Sequence, residues 1–268
     1  MKNIFKMKSL LDIVIILAMT QFACSLASQL TGGGASPASN ATQAPSVTQA
    51  TQPAPSESGN CDVNPYLPVK AGATYTFAGT TSAGAYTRTS TFANIHADGF
   101  QAEVVTTVGS KSITTTESWH CTADGLVEVG GPSAGNFQSA LGGTTTMKLT
   151  SSTGVTIPTN LAAGQSWTQS TKFEVTTSKG TVTGTITYTL QALGAESVTV
   201  PAGTFNAMKV QVNGTTQANM SGTTFTIITN GFEWFATGVG HVKSTEDVSF
   251  NGKSVSTVTG ELQSYHIP

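Results

Sequence analysis

Apolar and polar residues alternate along most of the chain beyond residue 60, the period of a strand with one covered and one wet face. The clearest run is Thr181-Val182-Thr183-Gly184-Thr185-Ile186-Thr187-Tyr188-Thr189-Leu190, where Val182, Ile186, Tyr188 and Leu190 share a face and threonines line the other. Threonine is β-branched and favours extended backbone even where it meets water. The same alternation predicts strands over 73–78, 86–95, 100–108, 112–119, 125–129, 144–149, 166–177, 196–200, 207–212, 223–229, 240–250 and 254–262. No segment sustains a 3.6-residue period. A short helix near 134–141 is the helical candidate, and its glycines oppose length.

Turn signals separate these runs, notably Ala97-Asp98-Gly99, Ser178-Lys179-Gly180 and Asn251-Gly252. Asn and Gly both accept positive φ, so Asn251-Gly252 predicts a type I′ turn joining Val248-Ser249-Phe250 to the last strand. In Pro201-Ala202-Gly203-Thr204, proline fixes φ and glycine takes a position that a side chain would obstruct. Two plans recur: the Pro- and Gly-containing approach to Tyr75 is echoed before Trp167, and the stretch beginning at Trp119 is echoed at Trp234. These patterns predict an all-β domain over 60–268. It is expected as a strongly curved antiparallel sheet or open barrel built from two meander-like halves, about 60–150 and 151–268.

Residues 24–59 read as a linker, because 28–59 hold almost nothing but Ser, Thr, Ala, Gly, Pro, Gln and Asn. Such a stretch has too little apolar surface to offset backbone entropy of roughly 1–2 kcal/mol per residue. Charged residues make up 10% of the chain and the formal net charge is -2. Beyond the first eight residues no Lys/Arg cluster exists to neutralise a run of phosphates, which argues against a nucleic-acid partner.

The N-terminus reads as an export signal over 1–23. Lys2, Lys6 and Lys8 precede an apolar run at 13–19, too short for the roughly 20 residues that span a bilayer. Cys24 follows Ala23, where a lipoprotein signal places its acylated cysteine, although Gln21 stands where that pattern has Leu. Three outcomes are open: a lipid anchor on Cys24 at the outer side of a bacterial cell membrane, secretion after a cut behind Ala27, or an uncleaved anchor. Cys61 and Cys121 remain for the folded part, and an oxidising compartment favours their pairing as a disulfide.

The motifs resemble a group of poorly characterised bacterial secreted proteins and lipoproteins. The likeness rests on Pro65, Tyr66, Pro68, Gly72 and Tyr75; on Val200-Pro201-Ala202-Gly203-Thr204-Phe205; and on Trp234, Gly238, Val239, Gly240, Val242 and Lys243. It runs from about Cys61 to Gln263. The resemblance implies a curved antiparallel sheet related to the open barrels of periplasmic lipoprotein carriers, and brings no catalytic residues.

Candidate chemistry is thin. His96, His120, His241 and His266 show no metal-ligand spacing and read as surface or strand-end residues. Glu103, Glu117, Asp124, Glu128, Glu174, Glu233, Glu246 and Asp247 are scattered, with Glu246-Asp247 read as a solvated strand face. No catalytic residue, metal or cofactor is expected. Trp119, Trp167, Trp234, Phe232 and Phe235 are candidates to line a ligand cavity, against the simpler role of core packing. The expectation is a non-enzymatic, envelope-tethered binding or carrier module for an apolar small molecule, a glycan or another envelope protein; the alternative is a structural or adhesive surface component.

Overall fold

Where threonine alternates with valine, isoleucine and aromatic residues, the backbone is extended throughout. The computed structural model describes residues 61, 64–130, 146–177, 180–220 and 222–268. The expected signal segment 1–23, Cys24, the linker 24–59, the helical candidate at 134–141 and Ser178-Lys179 of one expected turn lie outside these residues. The strands are β1 (Thr74–Thr81), β2 (Gly84–His96), β3 (Gly99–Val108), β4 (Lys111–Cys121), β5 (Gly125–Gly130), β6 (Thr146–Thr153), β7 (Ile157–Pro158), β8 (Ser166–Thr177), β9 (Gly180–Val200), β10 (Gly203–Met220), β11 (Thr223–Ala236), β12 (Gly240–Phe250) and β13 (Lys253–His266).

All belong to one antiparallel sheet, ordered β6-β8-β9-β10-β11-β12-β13-β1-β2-β3-β4-β5-β7. The expected strongly curved sheet or open barrel is therefore corrected. The order is linear, with β6 and β7 as terminal strands, so the sheet is neither closed into a barrel nor strongly curled. The expected halves are also joined edge to edge, since β13 pairs with β1 from Thr74↔His266 to Thr80↔Thr259. Alternation dictates which face of a strand is covered; closure needs a further hydrogen-bonded register between terminal strands, which alternation does not encode.

Two turns show their chemistry. Asn251 and Gly252 have φ of 47° and 80°, the positive pair that a type I′ turn requires, and Phe250 pairs with Lys253 across them. Pro201-Ala202 connects Val200 to its partner Gly203, at φ 142°. The separately predicted segments 181–190 and 196–200 are one strand of 21 residues, β9. Its register on β10 slips between Lys209 and Val210, leaving Leu193 as a bulge residue 45% exposed.

Val182, Ile186, Tyr188 and Leu190 are buried on the covered face, as the alternation requires. On that face several bulky side chains lie over a glycine directly across the ladder. Tyr86 pairs with Gly79, Phe173 with Gly184 and Tyr188 with Gly214, and a Cβ built on each of these glycines would collide with its partner's ring. Glu246 stands in the same relation to Gly231.

The segment before β1 fastens two distant parts of the sheet. The buried Asn64 side chain donates to the carbonyls of Ile157 (2.9 Å) and Pro158 (3.3 Å), while its oxygen accepts from Tyr66 N–H. Pro65 C=O accepts from Gly238 N–H in the β11–β12 turn. Cys61 and Cys121 form a disulfide, tying this segment to the end of β4.

The Gly214 backbone is unstrained, and the atoms nearest its missing Cβ all belong to side chains, chiefly the Tyr188 ring. Gly214→Val is expected to destabilise the protein by about 1–3 kcal/mol through overpacking. In a Tyr188→Leu background the same change should lose much less, as read by urea denaturation in a double-mutant cycle. Equal losses in both backgrounds would show that the ring does not require the glycine.

Candidate functional site

Inward positions of strands far apart in the sheet line one cavity of about 120 Å³. Its apolar wall consists of Tyr75 and Phe77 from β1, Phe92 from β2, Trp119 from β4, Leu190 from β9 and Phe235 from β11, with Leu67 and Ile157 alongside. Polar side chains share that wall: Arg88 and Ser90 from β2, Glu117 from β4, Glu128 from β5, Gln169 from β8, Tyr188 from β9, Glu233 from β11 and His241 from β12.

Arg88 and Glu117 form the best-defined polar contact. One guanidinium nitrogen of Arg88 donates to both carboxylate oxygens, at 2.9 and 3.0 Å, and both residues are buried. Gln169 Nε2 donates to Thr156 Oγ1 (2.8 Å), which also accepts from the Glu128 N–H (2.9 Å). Ser90 Oγ and His241 Nε2 are buried and have no hydrogen-bond partner in the protein.

The remaining carboxyls are displaced from their ordinary range. Burial pushes Glu233 up to about 8. Glu246 is raised well above the usual value by burial and then by repulsion from Glu233. Glu128 is raised by burial and then by Glu117, with Arg88 opposing. Burial lowers His241 to about 4, with a backbone hydrogen bond to Lys243 opposing.

His241 stands at a strand end, the second residue of β12, with its ring on the covered face and not at the surface. The β11–β12 register slips between Trp234 and Phe235, so Phe235 pairs with His241 while Trp234 pairs with Lys243. Val242 is the extra residue, and the bulge turns His241 to the covered face, between Phe77 (5.2 Å between ring centroids) and Phe235 (5.5 Å). His120, by contrast, is exposed. The expected solvated face at Glu246-Asp247 is corrected: Glu246 is 3% exposed, and only its neighbour Asp247 meets solvent.

Of the aromatic candidates, Trp119 and Phe235 line the cavity. Trp167 pairs with the cavity residue Leu190 and packs against the core without lining the cavity, with Nε1 buried and unpartnered. Phe232 and Trp234 belong to a separate cluster: Trp234 Nε1 donates to Glu196 (2.6 Å), and Lys209 Nζ lies 4.7 Å from the Phe232 ring centre and 5.1 Å from that of Trp234. Arg88 and Ser90 were missed by sequence reasoning. Their even-numbered alternation with Tyr86 and Phe92 was the available signal. Among the described residues, no group of three or more His, Cys, Asp or Glu is placed to hold a metal ion.

Residues 95–259 match the DUF3108-like family. The chain belongs to that family. The matched DUF3108-like region contains the cavity residues Glu117, Glu128, Glu233 and His241, whereas Tyr75, Arg88 and Ser90 precede it. Among solved structures, the DUF3108-like chain is similar to a protein described as exported, with a YmcC-like fold, from Bacteroides fragilis: 17% identity, 75% of this chain, 99% of that one, TM-score 0.47. It is also similar to a protein described as a lipoprotein from Parabacteroides distasonis: 15% identity, 75% of this chain, 98% of that one, TM-score 0.49. Both likenesses are too distant to transfer a function. No curated protein matches the sequence.

Two outcomes test the polar interior. Arg88→Met leaves Glu117 buried without its counter-charge and is expected to lose about 3–5 kcal/mol, most of it recovered in Arg88→Met/Glu117→Leu; urea denaturation of the three proteins checks this. The second concerns pH. A carboxyl with a raised native pKa holds its proton more tightly when folded, so Glu233 contributes stability below its ordinary 4.5 and loses it as pH climbs toward about 8. His241 acts oppositely, its contribution being complete above 6.5 and lost as pH falls toward about 4. Between pH 6.5 and 8 the carboxyls act alone, and stability should fall with rising pH. Glu233→Gln should flatten that fall, and a slope equal to wild type would contradict the assignment.

Proposed function

We propose that this chain is a non-enzymatic binding module of the bacterial cell envelope, tethered through a lipid on Cys24, whose cavity takes a small ligand with an apolar body. The cavity carries the reading: about 120 Å³ of space is walled by Tyr75, Phe77, Phe92, Trp119 and Phe235. Well-packed interiors have few voids larger than a water molecule, while an apolar cavity of about 150 Å³ holds benzene. The dimensions therefore suit a molecule built around one ring or a short alkyl chain. Arg88 is engaged by Glu117 and Cys61 by Cys121, which leaves Ser90 Oγ and His241 Nε2 as the unpartnered polar atoms available to a ligand.

Envelope placement is supported by the basic start, the apolar run at 13–19 and the Ala23-Cys24 pair. The polar linker that follows would give the folded part reach above a membrane surface. It also accords with the exported and lipoprotein descriptions of the two similar solved structures.

Mass spectrometry of the protein from a bacterial membrane fraction should show acylation at Cys24, and Cys24→Ser should move the protein to the soluble fraction. For the cavity, saturating toluene should raise the Tm of the wild type and leave that of the cavity-filling Ser90→Leu variant unmoved. A wild-type Tm indifferent to toluene, with no small molecule co-purifying, would remove the binding reading.

A further inference from the structure

The cavity wall presents two polar atoms without a protein partner, Ser90 Oγ on a residue 4% exposed and His241 Nε2. Burial holds the His241 imidazole neutral, and with its proton on Nδ1 the ring offers the unpartnered Nε2 as an acceptor. A ligand that satisfies this atom must bring a donor.

Charge narrows the class. Glu117, Glu128 and Glu233 face the cavity against one cationic side chain, Arg88, which Glu117 already engages through both oxygens. The excess is one of carboxyls, which burial holds near their neutral form in the empty cavity and which a bound cation would draw into ionisation, and the aromatic faces beside them favour a cation further. An anion would meet no free cationic group and bring no donor, while a hydrocarbon would leave both acceptors unmatched.

Building on the binding reading above, we propose that the ligand carries a primary ammonium on an apolar body about one ring in size, with Glu233 as counter-ion and Ser90 Oγ and His241 Nε2 as acceptors. Its ammonium sits among the carboxyl, hydroxyl and imidazole groups, and its body lies against the rings of Phe77 and Phe235.

The test is isothermal titration calorimetry of the full chain at neutral pH with four ring-sized probes: benzylamine, benzyl alcohol, toluene and benzoate. Benzylamine is expected to bind tightest, by about tenfold or more over toluene, since a hydrogen bond to a charged group separates them. Benzoate is expected not to bind. Glu233→Gln should weaken benzylamine by about tenfold or more and leave toluene unchanged. Ser90→Ala removes only an unpartnered hydroxyl, so it keeps the fold and should weaken benzylamine selectively even if Glu233→Gln proves unstable. Benzylamine binding no tighter than toluene, benzoate binding as well as benzylamine, or benzylamine affinity untouched in both variants would overturn the ammonium assignment while leaving apolar binding in place. Failure of all four probes to bind would overturn both.

Discussion

An aromatic ring and a Cβ cannot occupy the same space, and the covered face of this sheet is organised around that exclusion. Tyr86, Phe173 and Tyr188 each lie over the glycine opposite, and Glu246 covers Gly231. The device allows large side chains to lie along the sheet, and it pins the ladder register, because a slip of one residue would drive each ring into a Cβ-bearing neighbour. Tyr188, held over Gly214, is itself part of the cavity wall, so packing on the ladder and the shape of the interior are one problem.

Within that frame the polar groups divide by how they are satisfied. Arg88 and Glu117 neutralise each other at hydrogen-bonding distance, the arrangement that makes a buried charge tolerable. Glu128, Glu233 and Glu246 have no such cationic partner among the contacts described, and burial pushes each toward its neutral form. His241 is driven the other way by the same desolvation and stays uncharged. The interior thus combines carboxyls that resist ionisation with an imidazole that resists protonation.

Much of the strand layout was legible because threonine and apolar residues alternate cleanly, as from Val182 to Leu190, and because Asn251-Gly252 suits a single kind of turn. What was hidden lay at bulges. One extra residue at Leu193 concealed that β9 continues unbroken, and another at Val242 moved His241 from the apparent surface to the interior. Alternation also fails where both faces are covered. Glu233, Trp234 and Phe235 are all buried, so Trp234 looked equivalent to Trp119 although it belongs with Lys209 and Glu196 on a different face. Glu246 misled for a simpler reason: a glutamate beside an aspartate suggests solvent, and nothing in the pair reveals the glycine on the facing strand that makes room for its stem. The open ends of the sheet were invisible, since alternation reads the same in a closed sheet and an open one.

The disulfide at Cys61 bears on how the domain would respond to mechanical force. A pull on the chain preceding Cys61 passes through a covalent bond into β4 at Cys121, and from there into the β3–β4 ladder. The Asn64 clamp on Ile157 and Pro158 and the Pro65 contact with Gly238 are far weaker fastenings, each a matter of one or two hydrogen bonds. With the thiols joined, tension along a tether would bypass that clamp; with them reduced, the clamp would be the first element to peel.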